Sequence, residues 1–267
     1  MKKISLLFTG ILVAVSAMAQ ADDSDGTNEQ RLPNVVFILA DDLGWTDLGC
    51  YGSTFYKTPN IDHLAERGIS ICNAYSANPY CSPTRASILT GLYPARTGFL
   101  SASGHSPNVN VEKKLNEGPQ PTRRLLSPLP VTRLKTEYTT MAEVYKAAGY
   151  ATGHFGKWHL GTAPYSPLEH GFDIDIPNTN SGWPPGGYLD ASNLMKRAGL
   201  PVRENEHVED RMAEEAVRWM KANKDRPFLL NYWAFSVHGP WEGKPDYVAS
   251  FTADMDSKNP HRHPVYA

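Results

Sequence analysis

The chain has only three cysteines in 267 residues, too few for a disulfide framework to carry the fold. It has no excess of charge. Lys and Arg number 26, Asp and Glu 28, and the formal net charge is −2. No global basic field draws in nucleic acid, so any grip on an anionic partner must come from a local cluster. No internal repeat is present. The leading apolar run, Ile4 to Val15, falls short of the ~20 residues a spanning helix needs, which argues against a membrane anchor. What the chain does have is apolar mass: 41% of it is hydrophobic and 20% charged, the balance of a globular protein. Its length allows one large domain or two small ones, and a sizeable core.

The first residues have the form of an export signal. Lys2 and Lys3 precede the apolar run, and Ala17-Met18-Ala19 supplies a small-x-small cleavage site. Residues 1–19 are therefore expected to be a signal peptide and 20–32 a flexible, polar leader. Cleavage removes both lysines and takes the formal charge from −2 to −4. The destination is periplasmic or extracellular. No cysteine follows the cleavage site, so no lipid anchor is indicated. An odd cysteine count in an exported chain suggests a free thiol or an intermolecular bridge. Cys50 and Cys72 can pair and leave Cys81 alone, or all three can be free.

The periodicity alternates strand and helix, which predicts an α/β fold with a largely parallel mixed sheet flanked by helices. Pro33 to Ala40 is a continuous apolar, β-branched run and predicts a buried parallel strand. Thr58 to Gly68 predicts a short helix, with Thr58 as cap, Pro59 opening it and Gly68 stopping it. Ile69 to Ala74 is a second strand candidate. Phe99 to Tyr138 lacks periodicity, holds the paired Arg123 and Arg124, and is expected to be a long surface insertion. Thr139 to Ala148 predicts an amphipathic helix with Met141, Val144 and Tyr145 inward, followed by a strand from Tyr150 to Phe155. Pro164 to Tyr188 reads as loop. A helix from Val208 to Asn223 and a buried strand from Pro227 to Phe235 complete the pattern.

Polar residues of complementary type fall at the ends of these elements. Pro83 suits the first position of a helix and Ser82 its cap, which sets Cys81 at an anion-favouring helix N-terminus beside the cation of Arg85. A buried structural cysteine accommodates the same residues. Asp41 and Asp42 follow the first strand, where open α/β sheets place their sites. Adjacent carboxylates repel unless a cation lies between them, which points to calcium or magnesium; a solvated acidic turn is the alternative. Lys157 and His159 lie on one face of an extended segment. One is a point charge for an anionic oxygen and the other a proton carrier, though an ordinary loop pair fits too. His238, before Gly239-Pro240, ends the last strand and could equally be a turn residue.

Taken together, these motifs resemble the sulfatase family of the alkaline-phosphatase-like superfamily. Cys81-Ser82-Pro83-Thr84-Arg85 matches its C-x-P-x-R signature, extended by Ala86-Ser87-Ile88-Leu89-Thr90-Gly91. Gly156-Lys157-Trp158-His159-Leu160-Gly161 matches its second signature. The strands ending in Asp41-Asp42 and His238 fall in the family's order. The resemblance runs from Pro33 to the end of the chain, so residues 33–267 are expected to be the N-terminal part of a catalytic domain, with the insertion at about 99–138. It implies that a maturation enzyme converts Cys81 to formylglycine, whose hydrate attacks sulfur and then expels sulfate. It further implies a calcium ion, ahead of magnesium, on Asp41, Asp42 and the matured Cys81. Arg85 and Lys157 would stabilise charge, His159 would take a proton from the diol, and His238 would bind sulfate or protonate the leaving alcohol. The implied activity is hydrolysis of a sulfated carbohydrate.

The family's metal site also uses an Asp followed by Asn or His, and a second lysine, from further downstream. The chain stops before either, so it is expected to be truncated at the C-terminus and inactive or weak by itself. Two readings compete with sulfate ester hydrolysis. One is a phosphonate or phosphodiester hydrolase with the same nucleophile, and the other a non-catalytic binder of sulfated glycan. A cysteine hydrolase acting through the thiolate is a further option, but it leaves the paired aspartates without a purpose.

Overall fold

Four parallel strands form the sheet, and Asp41, Lys157 and His238 follow the ends of three of them. The strands are β1 (Val35–Leu39), β2 (Ala151–Gly156), β3 (Ile174–Ile176) and β4 (Phe228–Trp233), in the order β1-β4-β2-β3. The computed structural model describes residues 32–116, 125–255 and 262–267, and residues 33–267 form one compact unit. The expected signal peptide, all but the last residue of the leader, and Arg123 and Arg124 lie outside the described residues. Among the described residues no helix is long and apolar enough to cross a membrane.

β4 is central because its side chains alternate between two cores. Phe228 and Leu230 pack with Phe155, Leu194, Met195, Met212 and Phe235. Leu229 and Trp233 point the other way, with Ala86, Leu89, Phe99, Leu134, Trp158 and Phe172. This period-2 alternation, apolar on both sides, is why β4 is an apolar run apart from buried Asn231. The first core is closed by α5 (Ser192–Arg197) and α6 (Val208–Ala222). In α6, Val208, Met212 and Ala216 recur every four residues and are buried, a stripe along one helix face. The second core is closed by α2 (Cys81–Thr90) and α4 (Met141–Ala147). The other helices are α1 (Pro59–Arg67), α3 (Pro94–Thr97) and α7 (Pro245–Ala253).

Several expectations are corrected. β1 is half-buried rather than buried: Val36 is 47% and Ile38 62% exposed. It ends the order of the described strands, and its outer face has no cover among the described residues. Residues 69–74 form turns, not a strand, with Ile69 and Ile71 exposed. Thr58 stands at the cap position of α1, but its hydroxyl donates to Asp62 (2.9 Å) and accepts from the amide of Gly49 (2.9 Å) instead of capping. In α4 the buried residue is Ala142, with Met141 and Tyr145 packed beside it; Val144 is exposed. The stretch from 99 to 138 is more than a surface excursion, because Phe99, Val131 and Leu134 are buried in the second core. Within 164–188 the chain forms a short 3-10 turn, Pro167–His170, and β3. Neither β3 nor α5 is long enough to leave a periodic signature.

Candidate active site

The register of the sheet brings three distant segments to one edge. Leu39 and Gly156 both pair with Trp233, so the chain leaving β1, β2 and β4 emerges side by side. Backbone bonds extend this alignment past the strands: Asp41 N–H to Ser236 (2.8 Å), Lys157 N–H to Trp233 (2.8 Å) and Val237 N–H to Asp41 (2.7 Å). Gly156 makes the turn out of β2 possible. Its φ is +104°, and a Cβ there would lie 1.9 Å from the carbonyl oxygen of Trp233. The glycine therefore serves both the left-handed backbone and the close approach.

Asp41, Arg85 and Lys157 form one buried charge cluster. The two NH2 groups of Arg85 donate to Oδ1 of Asp41 (3.0 Å) and to the carbonyl oxygen of Lys157 (2.7 Å), and Lys157 Nζ donates to Oδ2 of Asp41. Arg85 also lies over the ring of Trp233, 5.0 Å from its centroid, a cation–π contact. Its Nε is buried without a hydrogen-bond partner. Burial opposes ionisation of Asp41, but Arg85 and Lys157 outweigh it and hold the carboxyl below its ordinary value. Lys157 is pushed down by burial and by Arg85, against the pull of Asp41 and Cys81.

Cys81 is the first residue of α2. The residue at the cap position is Tyr80, so Ser82 is not the cap. Ser82 is instead buried, with its hydroxyl donating to the carbonyl of His159 (2.8 Å) and accepting from the amide of Gly104 (3.1 Å). Asp41, Asp42, Tyr80, Cys81, Thr84 and Arg85 line a shared cavity of about 270 Å³. All three cysteines are free, with Cys50 and Cys72 exposed and Cys81 half-buried. Asp42 is exposed, in the left-handed region at φ +60°. Its Oδ2 lies 3.7 Å from Nε2 of His238, whose Nδ1 is 2.5 Å from the carbonyl of Gly239. His238 borders a second cavity of about 170 Å³ together with Tyr188, Trp241 and Glu242.

His159 also has φ +60°, and single non-glycine residues in that region concentrate at functional sites. It is 2% exposed and is not among the residues that line the cavity. Burial, then Lys157 and Arg85, depress its pKa to about 2. Its partner is one that the sequence left unmarked: His105, whose Nδ1 is 2.6 Å from His159 Nε2, with the rings stacked 4.8 Å apart. A lone histidine in a Ser- and Asn-rich, aperiodic segment carries no signal that could have singled it out.

The donor set suits a hard cation in chemistry but not in number. Calcium takes roughly 6–8 oxygens. Asp41 and Asp42 offer carboxylates beside Cys81, but no group of three or more His, Cys, Asp or Glu is placed to hold a metal among the described residues.

An acidic pair, a thiol and two buried cations thus gather where the strands of a parallel α/β sheet end, the position in which open sheets place their sites. The chain belongs to the sulfatase family, whose model, described as Sulfatase, matches residues 33–267. It is 40% identical over 159 residues to N-acetylgalactosamine-6-sulfatase of Sus scrofa, covering 58% of this chain and 28% of that protein. It is 38% identical over 187 residues to N-acetylgalactosamine-6-O-sulfatase of Bacteroides thetaiotaomicron, covering 68% and 31%. The crystal structure of Ps i-CgsB superposes with a TM-score of 0.65 at 30% identity, covering 88% of this chain and 51% of that one. The matches thus span only about a quarter to a third of these two curated relatives and half of the solved structure.

Proposed function

We propose that this chain is part of a sulfatase catalytic domain that removes sulfate from a sulfated carbohydrate, acting in the periplasm or outside the cell. The observation that carries the reading is the common cavity of Asp41, Asp42, Cys81 and Arg85 at the strand ends. Support for a carbohydrate comes from relatives named for N-acetylgalactosamine 6-sulfate esters. A form of Ps i-CgsB solved with k-i-k-neocarrahexaose, 28% identical to this chain, points the same way.

Conversion of Cys81 by a maturation enzyme supplies an aldehyde whose hydrate is a nucleophile for sulfur. Asp41 and Asp42, with the matured Cys81, would hold part of the coordination of a calcium ion, which polarises a sulfate oxygen when bound. The protein's own residues do the rest. Lys157 and Arg85 set positive charge behind the cavity floor, where charge grows on the transferred group. Arg85 does this chiefly by fixing Asp41 and the Lys157 backbone. His238, 3.7 Å from Asp42, would hand a proton to a departing alkoxide. His159 accepts a proton from a hydroxyl on the Cys81 side.

The test is the protein co-produced with a formylglycine-generating enzyme. Mass spectrometry of the Cys81 peptide should show the thiol replaced by an aldehyde. An aryl sulfate should be cleaved in preference to an aryl phosphodiester. Preference for the phosphodiester assigns the protein to the other hydrolase class, and an unconverted thiol with intact glycan binding makes it a binder.

A further inference from the structure

We propose that the cleft between Trp183 and Glu242 holds a neutral sugar next to the sulfated one, and that these two residues select substrates by the charge of that neighbour. The inference rests on the carbohydrate reading above. The cleft has a volume of about 250 Å³ and lies outside the cavity of Cys81. Trp183, 45% exposed, and Pro240 line it together with Gly187, Tyr188 and Glu242. Tyr188 and Glu242 also line the cavity of about 170 Å³ that His238 borders.

The cleft is built into the fold. Gly186 and Gly187 have φ of +100° and +90°, a left-handed pair that only glycine adopts at no cost. The amide of Gly187 closes the turn on the carbonyl of Pro184 (3.0 Å). The turn sets the amide of Tyr188 to donate to Oε2 of Glu242 (2.6 Å), and a Cβ on Gly187 would fall 2.2 Å from that oxygen. The hydroxyl of Tyr188 is shared between the carbonyls of Phe235 (2.7 Å) and His238 (2.8 Å). His238 in turn lies 3.7 Å from Asp42, which lines the cavity of Cys81. Cleft and candidate active site are therefore neighbours through one backbone segment.

The lining decides what fits. An indole offers a flat apolar face, which suits the C–H face of a pyranose ring, and a carboxylate accepts from the hydroxyls at the ring's rim. Ligand sites join an apolar wall to a few polar groups in this way. Glu242 is exposed, and no lysine or arginine lines the cleft to pair with it. The local charge is thus opposite in sign to that set by Arg85 and Lys157 beside the cavity of Cys81. A uronate or a second sulfate in the cleft would stand close to the Glu242 carboxylate. That repulsion costs roughly tenfold or more in affinity near a protein surface. The substrate that matches both regions carries its sulfate on one residue and has a neutral, hydroxylated residue beside it.

Binding of two probes to this chain, measured by calorimetry, tests the assignment without turnover. Both are disaccharides of N-acetylgalactosamine 6-sulfate, the sulfated sugar for which two relatives are named; one carries galactose and the other glucuronate. The galactose probe should bind at least about tenfold more tightly. Glu242→Gln keeps an oxygen for the amide of Tyr188 and should remove most of that preference by tightening the glucuronate probe. Trp183→Ala should weaken the galactose probe about tenfold, with most of the affinity kept in Trp183→Phe. The indole N–H resonance of Trp183 should shift as the galactose probe binds. Equal affinity for the two probes, a preference unmoved by Glu242→Gln, or no binding of either overturns the proposal. The expected preference without sulfate release after maturation counts against the sulfatase reading alone.

Discussion

Arg85 grips Asp41 at 3.0 Å with both side chains almost wholly removed from water. One residue begins the acidic turn after β1 and the other lies in the first turns of α2. Their pairing ties the signature helix to the strand end and does not leave the guanidinium free to meet a ligand. A buried pair that loses one member strands a charge, which typically costs about 3–5 kcal/mol. Arg85→Ala should therefore unfold at lower urea by an amount of that order, and Arg85→Lys should not recover it, because an ammonium cannot span Asp41 and the Lys157 carbonyl together. If Arg85→Ala unfolds with the wild type, the cluster carries no structural weight. The double variant Arg85→Ala/Asp41→Asn should be less stable than Arg85→Ala alone, because buried Lys157 then loses the carboxylate that it donates to.

Acid should weaken this protein well above the carboxylate range. His154 and His159 are buried, with pKa values depressed mainly by burial to about 3 and about 2, from 6.5 when unfolded. Between pH 6.5 and those values the unfolded chain binds a proton at each that the folded chain refuses. Stability must then fall as pH falls, by up to about 1.4 kcal/mol per pH unit for each histidine. Asp41 acts lower: its depressed pKa adds stability that is complete above 3.8 and lost as pH drops further. Urea midpoints at pH 7, 6 and 5 should decline, and His154→Gln should flatten the decline. Equal midpoints across that range would show both imidazoles to be free to charge.

The two signature segments were legible in the sequence because their spacing is fixed by short-range chemistry. Cys81 to Arg85 is one turn of helix, and Lys157 and His159 are separated by one residue. Asp41, Asp42, Cys81 and Arg85 line one cavity, and Lys157 pairs with Asp41. What stayed hidden depends on tertiary context. The outer face of β1 is apolar in sequence whether or not anything covers it. Ser82 looks like a cap because serine often is one, while the fold spends its hydroxyl on His159 and Gly104. His105 lies in a segment with no period, and only packing places it against His159.

Ser82→Ala tests that redirected hydroxyl. It leaves the carbonyl of His159 and the amide of Gly104 without their shared buried partner, each worth roughly 1–3 kcal/mol when unsatisfied. The variant should lose stability on that scale while α2 remains intact, since Ser82 does not cap it. Hydrogen exchange should speed at Gly104 and its neighbours but not in the middle of α2. Loss of protection along α2 instead would return Ser82 to the role of a helix cap.

Asp42 separates stability from cation binding. Its backbone sits at φ +60°, a region that costs most side chains but that Asn tolerates as well as Asp. Its carboxylate is exposed and not part of the buried cluster. Asp42→Asn should therefore keep the wild-type unfolding midpoint in chelator within about 0.5 kcal/mol. Calcium should stabilise the wild type by about 1.4 kcal/mol per tenfold increase once its concentration exceeds the dissociation constant. The variant, with one of two adjacent carboxylates neutralised, should show little or none of that rise. A full calcium response in Asp42→Asn would place the cation elsewhere. A wild type indifferent to calcium would mean that Asp41, neutralised by Arg85 and Lys157, leaves this chain too little negative charge to hold the ion.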